Sequence, residues 1–289
     1  MMDLSGVYTA LITPFAGGKV DYPAFERLIE NQIKGGVAGI VPVGTTGESP
    51  TLDYDEHSKV IECAIKCAAG RCKVIAGTGA NSTAEAIRLT AEAKEMGADA
   101  TLQVTPYYNK PTGEGMYRHF SAVAEVGLPV VLYNVPGRSG VPIPVDVIAR
   151  LSENPAIVAV KEAGGNADRV SQILEKCDIC VLSGDDALTL PMMSLGAKGV
   201  ISVASHIIPE QVVAMVNAAL AGDFKTALAI HRKYYRLFCD LFIESNPIPV
   251  KAAMEMAGFT AAEYRLPLCG ISDSHREILR ETMKKCGVL

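Results

Sequence analysis

Eight times along this chain a short apolar run is followed by a longer stretch with other spacing. The runs are Val7–Thr13, Gly39–Val43, Lys73–Gly77, Ala100–Thr105, Val130–Asn134, Ile157–Lys161, Ile179–Ser183 and Gly199–Val203. Near-continuous apolar strands fit a parallel sheet covered on both faces. The stretches between them carry helical periodicity, as in Phe25, Leu28, Ile29, Gln32 and Ile33, or Val170, Ile173 and Leu174. Another, Ala84 to Met96, opens on the cap-like NSTAEA and closes at Gly97. The repeat, roughly 20–35 residues, is that of a β/α unit. Eight units predict an α/β fold, a (β/α)8 TIM barrel. An open doubly wound sheet is the alternative, but it usually has fewer strands and a glycine-rich first turn. Here the first run leads into TPFAGGKVD, GTGANS lacks the third glycine of the dinucleotide fingerprint, and there is no Walker A pattern.

Past Gly222 the apolar runs stop. DFKTALAIHRKYYRLFCDLF, NPIPVKAAMEMAG and DSHREILRETMKKCG read as three helices. The expected organisation is a catalytic barrel over residues 1–222 and a C-terminal helical extension over 223–289, packed on the barrel rather than independent.

Composition narrows the function classes. With 289 residues, 49% hydrophobic and 20% charged, the chain has ample material for a core. A net charge of −5 without a Lys/Arg block disfavours nucleic-acid or anionic-membrane binding. The start MMDLSGVYTA has no secretory pattern, and no apolar run approaches the roughly 18 residues of a membrane span, so the expected location is cytoplasmic. Eight scattered cysteines include the pair Cys177 and Cys180 in C-x-x-C spacing. That pair leads into an apolar run rather than a helix and has no second pair to complete a zinc site, so free thiols are expected and no metal.

In a barrel of this kind function lies at the C-terminal ends of the strands. Those ends are Thr13-Pro14, GTTGES (44–49), GTGANS, TPYYNKP (105–111), YNVPGRSG (133–140), Lys161-Glu162, SGDD (183–186) and ISVAS. Hydroxyls, Arg138 and Lys161 converge on a single mouth, a set suited to acid–base chemistry on a small anion.

Lys161 ends an apolar strand, an unusual place for a residue that is rarely buried unpaired. It reads either as a cation that snorkels outward or pairs with Glu162, Asp185 or Asp186, or as an amine nucleophile. Apolar surroundings disfavour a charged amine, and a free amine attacks ketones to form a Schiff base that serves as an electron sink. Its companions carry the same two-sided reading. Tyr133 is either an aromatic wall residue or a proton carrier. Thr45 and Thr46 form either a capped tight turn or a glycine-bounded anion seat. Arg138 is either a loop cation or a bidentate fork for a carboxylate. The exposed Tyr107-Tyr108 pair reads as a subunit contact.

Together, GTTGES, TPYYNKP, YNVPGRSG, VKEAGGN and LSGDD resemble the dihydrodipicolinate synthase family of pyruvate-dependent Schiff-base lyases and aldolases. The resemblance covers nearly the whole chain, including NPIPVKAAM. It implies condensation of pyruvate with L-aspartate 4-semialdehyde, in diaminopimelate and lysine synthesis. It also implies Lys161 as the Schiff-base lysine, with Tyr133, Thr46 and Tyr108 as a hydroxyl relay, Tyr108 coming from the neighbouring subunit. Thr45 and Thr46 would hold the pyruvate carboxylate and Arg138 that of the semialdehyde, while Gly184 and Ile201 would line the lysine pocket through main-chain groups. No metal or organic cofactor is implied, and the assembly would be a homotetramer of two tight dimers. A lysine-feedback site would comprise Ser49, His57, Asn81, Glu85 and Tyr107. Tyr54 departs from the histidine of the inhibited pattern, and Pro50 stiffens that loop.

Two alternatives stay open. One is a related class I aldolase or lyase, such as N-acetylneuraminate lyase or a 2-keto-3-deoxy-sugar acid aldolase, from which Arg138 discriminates. The other is a non-catalytic barrel acting as a binding protein, against which intact Lys161, Tyr133 and Thr46 argue.

Overall fold

A computed structural model describes residues 2–289. Its strands are β1 (Gly6–Ala10), β2 (Phe15–Ala16), β3 (Lys19–Val20), β4 (Gly39–Val41), β5 (Lys73–Gly77), β6 (Ala100–Val104), β7 (Val130–Asn134), β8 (Ile157–Glu162), β9 (Cys180–Ser183) and β10 (Gly199–Ser202). All but β2 and β3 form one closed barrel in the order β1-β10-β9-β8-β7-β6-β5-β4, parallel at every pairing.

The strands are short and buried on both faces because each separates two cores. Alternate side chains point inward, as the period of two requires. Tyr8, Val41, Leu102, Tyr133, Leu182 and Ile201 belong to the cluster that fills the barrel. The opposite faces pack against the helices, whose apolar stripes are buried, as with Phe25, Leu28 and Ile29 on Tyr22–Lys34 or Val60, Ile61 and Ala64 on Tyr54–Ala68. Helix starts are sealed by side chains: Asp21 caps Ala24 N–H, and Asp53 and Glu56 form a capping box.

Two local features depart from the sequence reading. The first strand ends at Ala10 rather than Thr13, because Ile12 N–H donates to Nε2 of His206, at 3.0 Å, instead of to a neighbouring strand. The hairpin β2–β3 was not expected, although its turn, Gly17-Gly18, has positive φ at both residues, a hairpin signature.

The C-terminal helices are Phe224–Asp240, Ile248–Met256 and Asp273–Lys285. Asp240 accepts hydrogen bonds from Arg236 and from the Thr282 hydroxyl, joining the first helix to the third. Lys251, fully buried, forms an ion pair with Glu48 of the GTTGES turn and donates to Glu263 O at 2.8 Å. The second helix is thereby fastened to the mouth of the barrel. Among the described residues no helix is long and apolar enough to cross a membrane.

Candidate active site

Lys161 lies on β8, two residues after the inward-facing Ala159, so its side chain enters the barrel. It is only 6% exposed. Its register partners are Tyr133 on β7 and Leu182 on β9. The Nζ sits 4.2 Å from the centroid of the Tyr133 ring. Among the described residues it makes no salt bridge.

The carboxylates that could have paired with it are engaged elsewhere. Glu162 points to the opposite face, where Asn134 Nδ2 donates to both its oxygens (2.7 and 2.9 Å) and Arg169 Nε donates at 3.0 Å. Asp186 accepts from the Ser202 hydroxyl and from Val203 and Ala204 N–H. Asp185 caps Ala187 N–H.

Gly184 makes room for the lysine. A Cβ there would stand 2.9 Å from Lys161 Cε and 2.6 Å from Ala163 Cβ, so any side chain would displace the amine. Ile201, 1% exposed, lies in the inner cluster with Tyr133 and Leu182.

The turn after β4 is tightly wound. Val43 and Glu48 take left-handed φ values of 52° and 55°, uncommon for residues with a side chain. Gly44 O accepts from Gly47 N–H, and Thr45 O accepts from Glu48 N–H. Thr46 is buried, and its Oγ1 accepts from Asn246 Nδ2 at 2.9 Å. Thr45 instead faces a cavity of about 300 Å³ that it shares with Ser49, Tyr107, Tyr133, Arg138 and Asn246. Lys161 and Thr46 are not in the cavity wall, but each lies against a residue that is, Tyr133 and Asn246 respectively.

Arg138 sits at the rim on the short helix Pro136–Ser139, with Nη2 donating to Asn246 O at 3.1 Å. Tyr108 is elsewhere. It is 90% exposed, has a φ of 71°, and lies outside the cavity of its own barrel.

Of the residues expected at a feedback site, Asn81 and Glu85 come together with Tyr107 and Tyr54. Asn81 Nδ2 donates to Tyr107 O, and the Tyr54 hydroxyl donates to Glu85 at 2.8 Å. That bond to Glu85 raises the Tyr54 pKa, and Arg88 covers the Tyr54 ring. Burial raises the Tyr107 pKa. His57 is buried beneath, its Nε2 3.0 Å from Gly77 O, and burial holds its pKa below the usual histidine value. Ser49 lies in the cavity wall.

Reading by residue type gave no role to Asn246, Lys251 or Glu48. The NPIPVK segment carries the first two, but its partners lie about 200 residues away, and no local spacing connects them. All eight cysteines are free thiols, and Cys180 opens β9. Among the described residues no three His, Cys, Asp or Glu side chains group closely enough to hold a metal ion.

A closed parallel barrel whose mouth gathers a buried lysine, a tyrosine, a hydroxyl-bearing turn and a rim arginine defines the class, a (β/α)8-barrel enzyme. The chain belongs to the dihydrodipicolinate synthetase family, whose profile matches residues 3–286. A 4-hydroxy-tetrahydrodipicolinate synthase from Aquifex aeolicus (strain VF5) is 55% identical over 284 residues, covering 97% of each chain. The crystal structure of dihydrodipicolinate synthase from Aquifex aeolicus superposes with a TM-score of 0.97 at 53% identity, over 99% of both chains. That of the chloride-inhibited enzyme from Acinetobacter baumannii, complexed with pyruvate, gives 0.97 at 45% identity, over 99% of this chain and 100% of that one.

Proposed function

We propose that this protein catalyses the 4-hydroxy-tetrahydrodipicolinate synthase reaction, a lyase-class condensation of pyruvate with L-aspartate 4-semialdehyde that serves diaminopimelate and lysine synthesis. The observation that carries the proposal is the buried Lys161 amine, without an ion-pair partner among the described residues and 4.2 Å from the Tyr133 ring centroid. Relatives named for this reaction and a similar enzyme complexed with pyruvate support it.

In this reading the pyruvate carboxylate settles on the donors of the Thr45-Thr46 turn. The Lys161 amine attacks the keto carbon, Tyr133 relays protons, water leaves and an iminium remains. Loss of a methyl proton gives an enamine, the positive nitrogen having taken up the electron pair. The enamine carbon bonds to the aldehyde carbon of the semialdehyde, whose carboxylate is held by Arg138. The amine of the adduct then closes on the imine carbon and releases Lys161. The lysine itself supplies the electron sink, so no metal or organic cofactor takes part.

Gly184 leaves space for the lysine, and Gly184 and Ile201 line its pocket through main-chain groups. Tyr108, turned away from its own barrel, completes the relay of a neighbouring subunit in a homotetramer of two tight dimers. Ser49, His57, Asn81, Glu85 and Tyr107 belong to a lysine-feedback site. Residues 1–222 form the catalytic barrel, residues 223–289 the extension that braces its mouth, and the enzyme works in the cytoplasm.

The test is turnover of the semialdehyde with and without pyruvate, beside cleavage of N-acetylneuraminate. Pyruvate-dependent consumption of the semialdehyde without sialic acid cleavage is expected. The reverse pattern would assign the chain to the sugar-acid lyases, and neither activity would make it a binding barrel.

A further inference from the structure

We infer that Asn134, Glu162 and Arg169 form a positioning device on the outer face of the barrel, which closes the base of the loop carrying Arg138 and ties it to the strand of Lys161. The inference rests on the proposed reaction, in which Arg138 holds the carboxylate of the semialdehyde.

The loop leaves β7 at Asn134 and returns to the buried core at Ile143. Arg138 sits midway, on the short helix Pro136–Ser139. The two ends are fastened by one ring of contacts. Ile143 N–H donates to Asn134 Oδ1 at 2.9 Å, and Ile143 O accepts from Arg169 Nη2 at 2.8 Å. Arg169 Nε donates to Glu162 Oε2, and Asn134 Nδ2 donates to both Glu162 oxygens. The ring thus runs from Asn134 through Ile143, Arg169 and Glu162 back to Asn134.

Its members allow one arrangement. An asparagine amide has an acceptor on one side and donors on the other. With an N–H against its oxygen and a carboxylate against its nitrogen, Asn134 cannot flip. Glu162 is fully buried, and a buried carboxylate is stable only when paired and hydrogen-bonded. Gly164 N–H adds a further bond to its Oε1 at 2.7 Å, where a Cβ on Gly164 would stand 2.6 Å from the same oxygen.

Asn134 and Glu162 are register partners, each one residue past the Tyr133–Lys161 pair. The pleat therefore puts the ring on the outer face and that pair on the inner one. None of the three ring side chains lines the cavity, so their effect on a substrate passes through the loop. The loop is braced within itself, since the Ser139 hydroxyl donates to Val141 O at 2.8 Å and Gly140 N–H to Pro136 O. A shift at its base accordingly carries Arg138 along.

Arg169 is the member to change, because it stands on the helix Asp168–Lys176 and not on either strand. Arg169→Met releases Ile143 O but leaves the ladder between Lys161 and Tyr133 in place. The expected result is a kcat/KM for the semialdehyde lowered about tenfold or more, the scale of a displaced substrate clamp. The rate of borohydride trapping with pyruvate should stay within about twofold of wild type, since Arg138 does not act on pyruvate in this reading. Arg169→Lys, which keeps a charge against Glu162, is expected to lose less. Arg169→Met combined with Glu162→Gln leaves no buried charge unpaired and serves if Arg169→Met alone does not fold.

The decisive measurement repeats Arg169→Met in an Arg138→Ala background. With no guanidinium left to position, the second change should cost less than about twofold more. The same fold-loss in both backgrounds would mark a merely structural residue and overturn the inference. So would a loss of trapping equal to the loss of turnover, or an unchanged kcat/KM in the Arg169 variants. If wild type shows no pyruvate-dependent turnover, the proposed reaction fails. If wild type turns over and Arg138→Ala impairs use of the semialdehyde, but the two losses are additive, only the positioning device fails.

Discussion

Lys161 and Tyr133 are register partners on adjacent parallel strands, and the lysine Nζ lies 4.2 Å from the centre of the tyrosine ring. The ladder makes this contact inevitable once both residues face inward, and it brings the tyrosine into the cavity wall above the amine. The next residue, Glu162, faces outward by the same alternation and is consumed by Asn134 and Arg169. A carboxylate adjacent in sequence is thus kept away from the amine by the pleat of the strand.

In the proposed reaction Arg138 acts on the semialdehyde and not on pyruvate. It lies at the rim and touches Asn246 rather than Lys161. Arg138→Ala is expected to leave Schiff-base formation with pyruvate largely intact and to lower kcat/KM for the semialdehyde by 10²-fold or more, in line with the loss of a charge-assisted bidentate contact of roughly 3 kcal/mol. Trapping by borohydride and steady-state kinetics check this together. Equal loss of trapping would remove Arg138 from that role.

Tyr108 is 90% exposed, has a left-handed backbone, and lies outside the cavity of its own barrel. Tyr108→Phe and Lys161→Ala homo-oligomers should each be nearly inactive. When the two are unfolded and refolded together, a hybrid dimer regains one complete site of two, because the Tyr108→Phe subunit keeps its lysine and receives its partner's tyrosine. Activity no higher than the mean of the separately refolded variants, with hybrids confirmed by mass, would place the tyrosine in its own barrel's service.

The Tyr54–Glu85 hydrogen bond occupies the carboxylate that a lysine ammonium would need. Free lysine is therefore expected to inhibit only weakly or moderately, and Tyr54→Phe to tighten its binding severalfold by freeing Glu85. Calorimetric titration of both proteins measures this. Absence of saturable binding up to millimolar lysine would refute a feedback site here.

Stability should fall on acidification through buried histidines. His206 donates from Nδ1 to Val203 O (2.8 Å) and accepts at Nε2 from Ile12 N–H (3.0 Å), so only its neutral form satisfies both partners. Burial lowers the pKa of His206 to about 4, and that of His119 likewise. The unfolded chain takes up these protons near pH 6.5 and the folded chain does not, so stability present above pH 6.5 is lost between there and about pH 4. Each histidine contributes roughly 2–3 kcal/mol to that loss. Asp186, whose pKa burial raises, acts in the opposite sense. Denaturant unfolding from pH 7 to 4.5 should show a falling midpoint, with a shallower slope in His119→Gln. A flat profile would contradict the assignment.

The eightfold recurrence of apolar runs carried the architecture in the sequence, because a strand buried on both faces must be apolar throughout. It also placed Lys161, Tyr133, Thr45 and Arg138 at one mouth, since strand ends converge in any such barrel. What stayed hidden has no local spacing. The hold of Asn246 on Thr46 and that of Lys251 on Glu48 span about 200 residues and depend on how the C-terminal helices return to the barrel. Orientation was hidden as well. The sequence shows Tyr107 and Tyr108 as a pair, whereas the backbone turns one into the cavity wall and the other away from it.

The most direct measurement is mass spectrometry of the protein treated with pyruvate and borohydride, followed by peptide mapping. Reduction of the pyruvate imine should inactivate the enzyme and add about 72 Da, the gain calculated for a ketimine of this acid once reduced, to the peptide carrying Lys161. Protection by substrate analogues and loss of labelling in Lys161→Ala should accompany it. A label on another lysine, or no label while the protein turns over substrate, would contradict the assignment of Lys161 as the nucleophile.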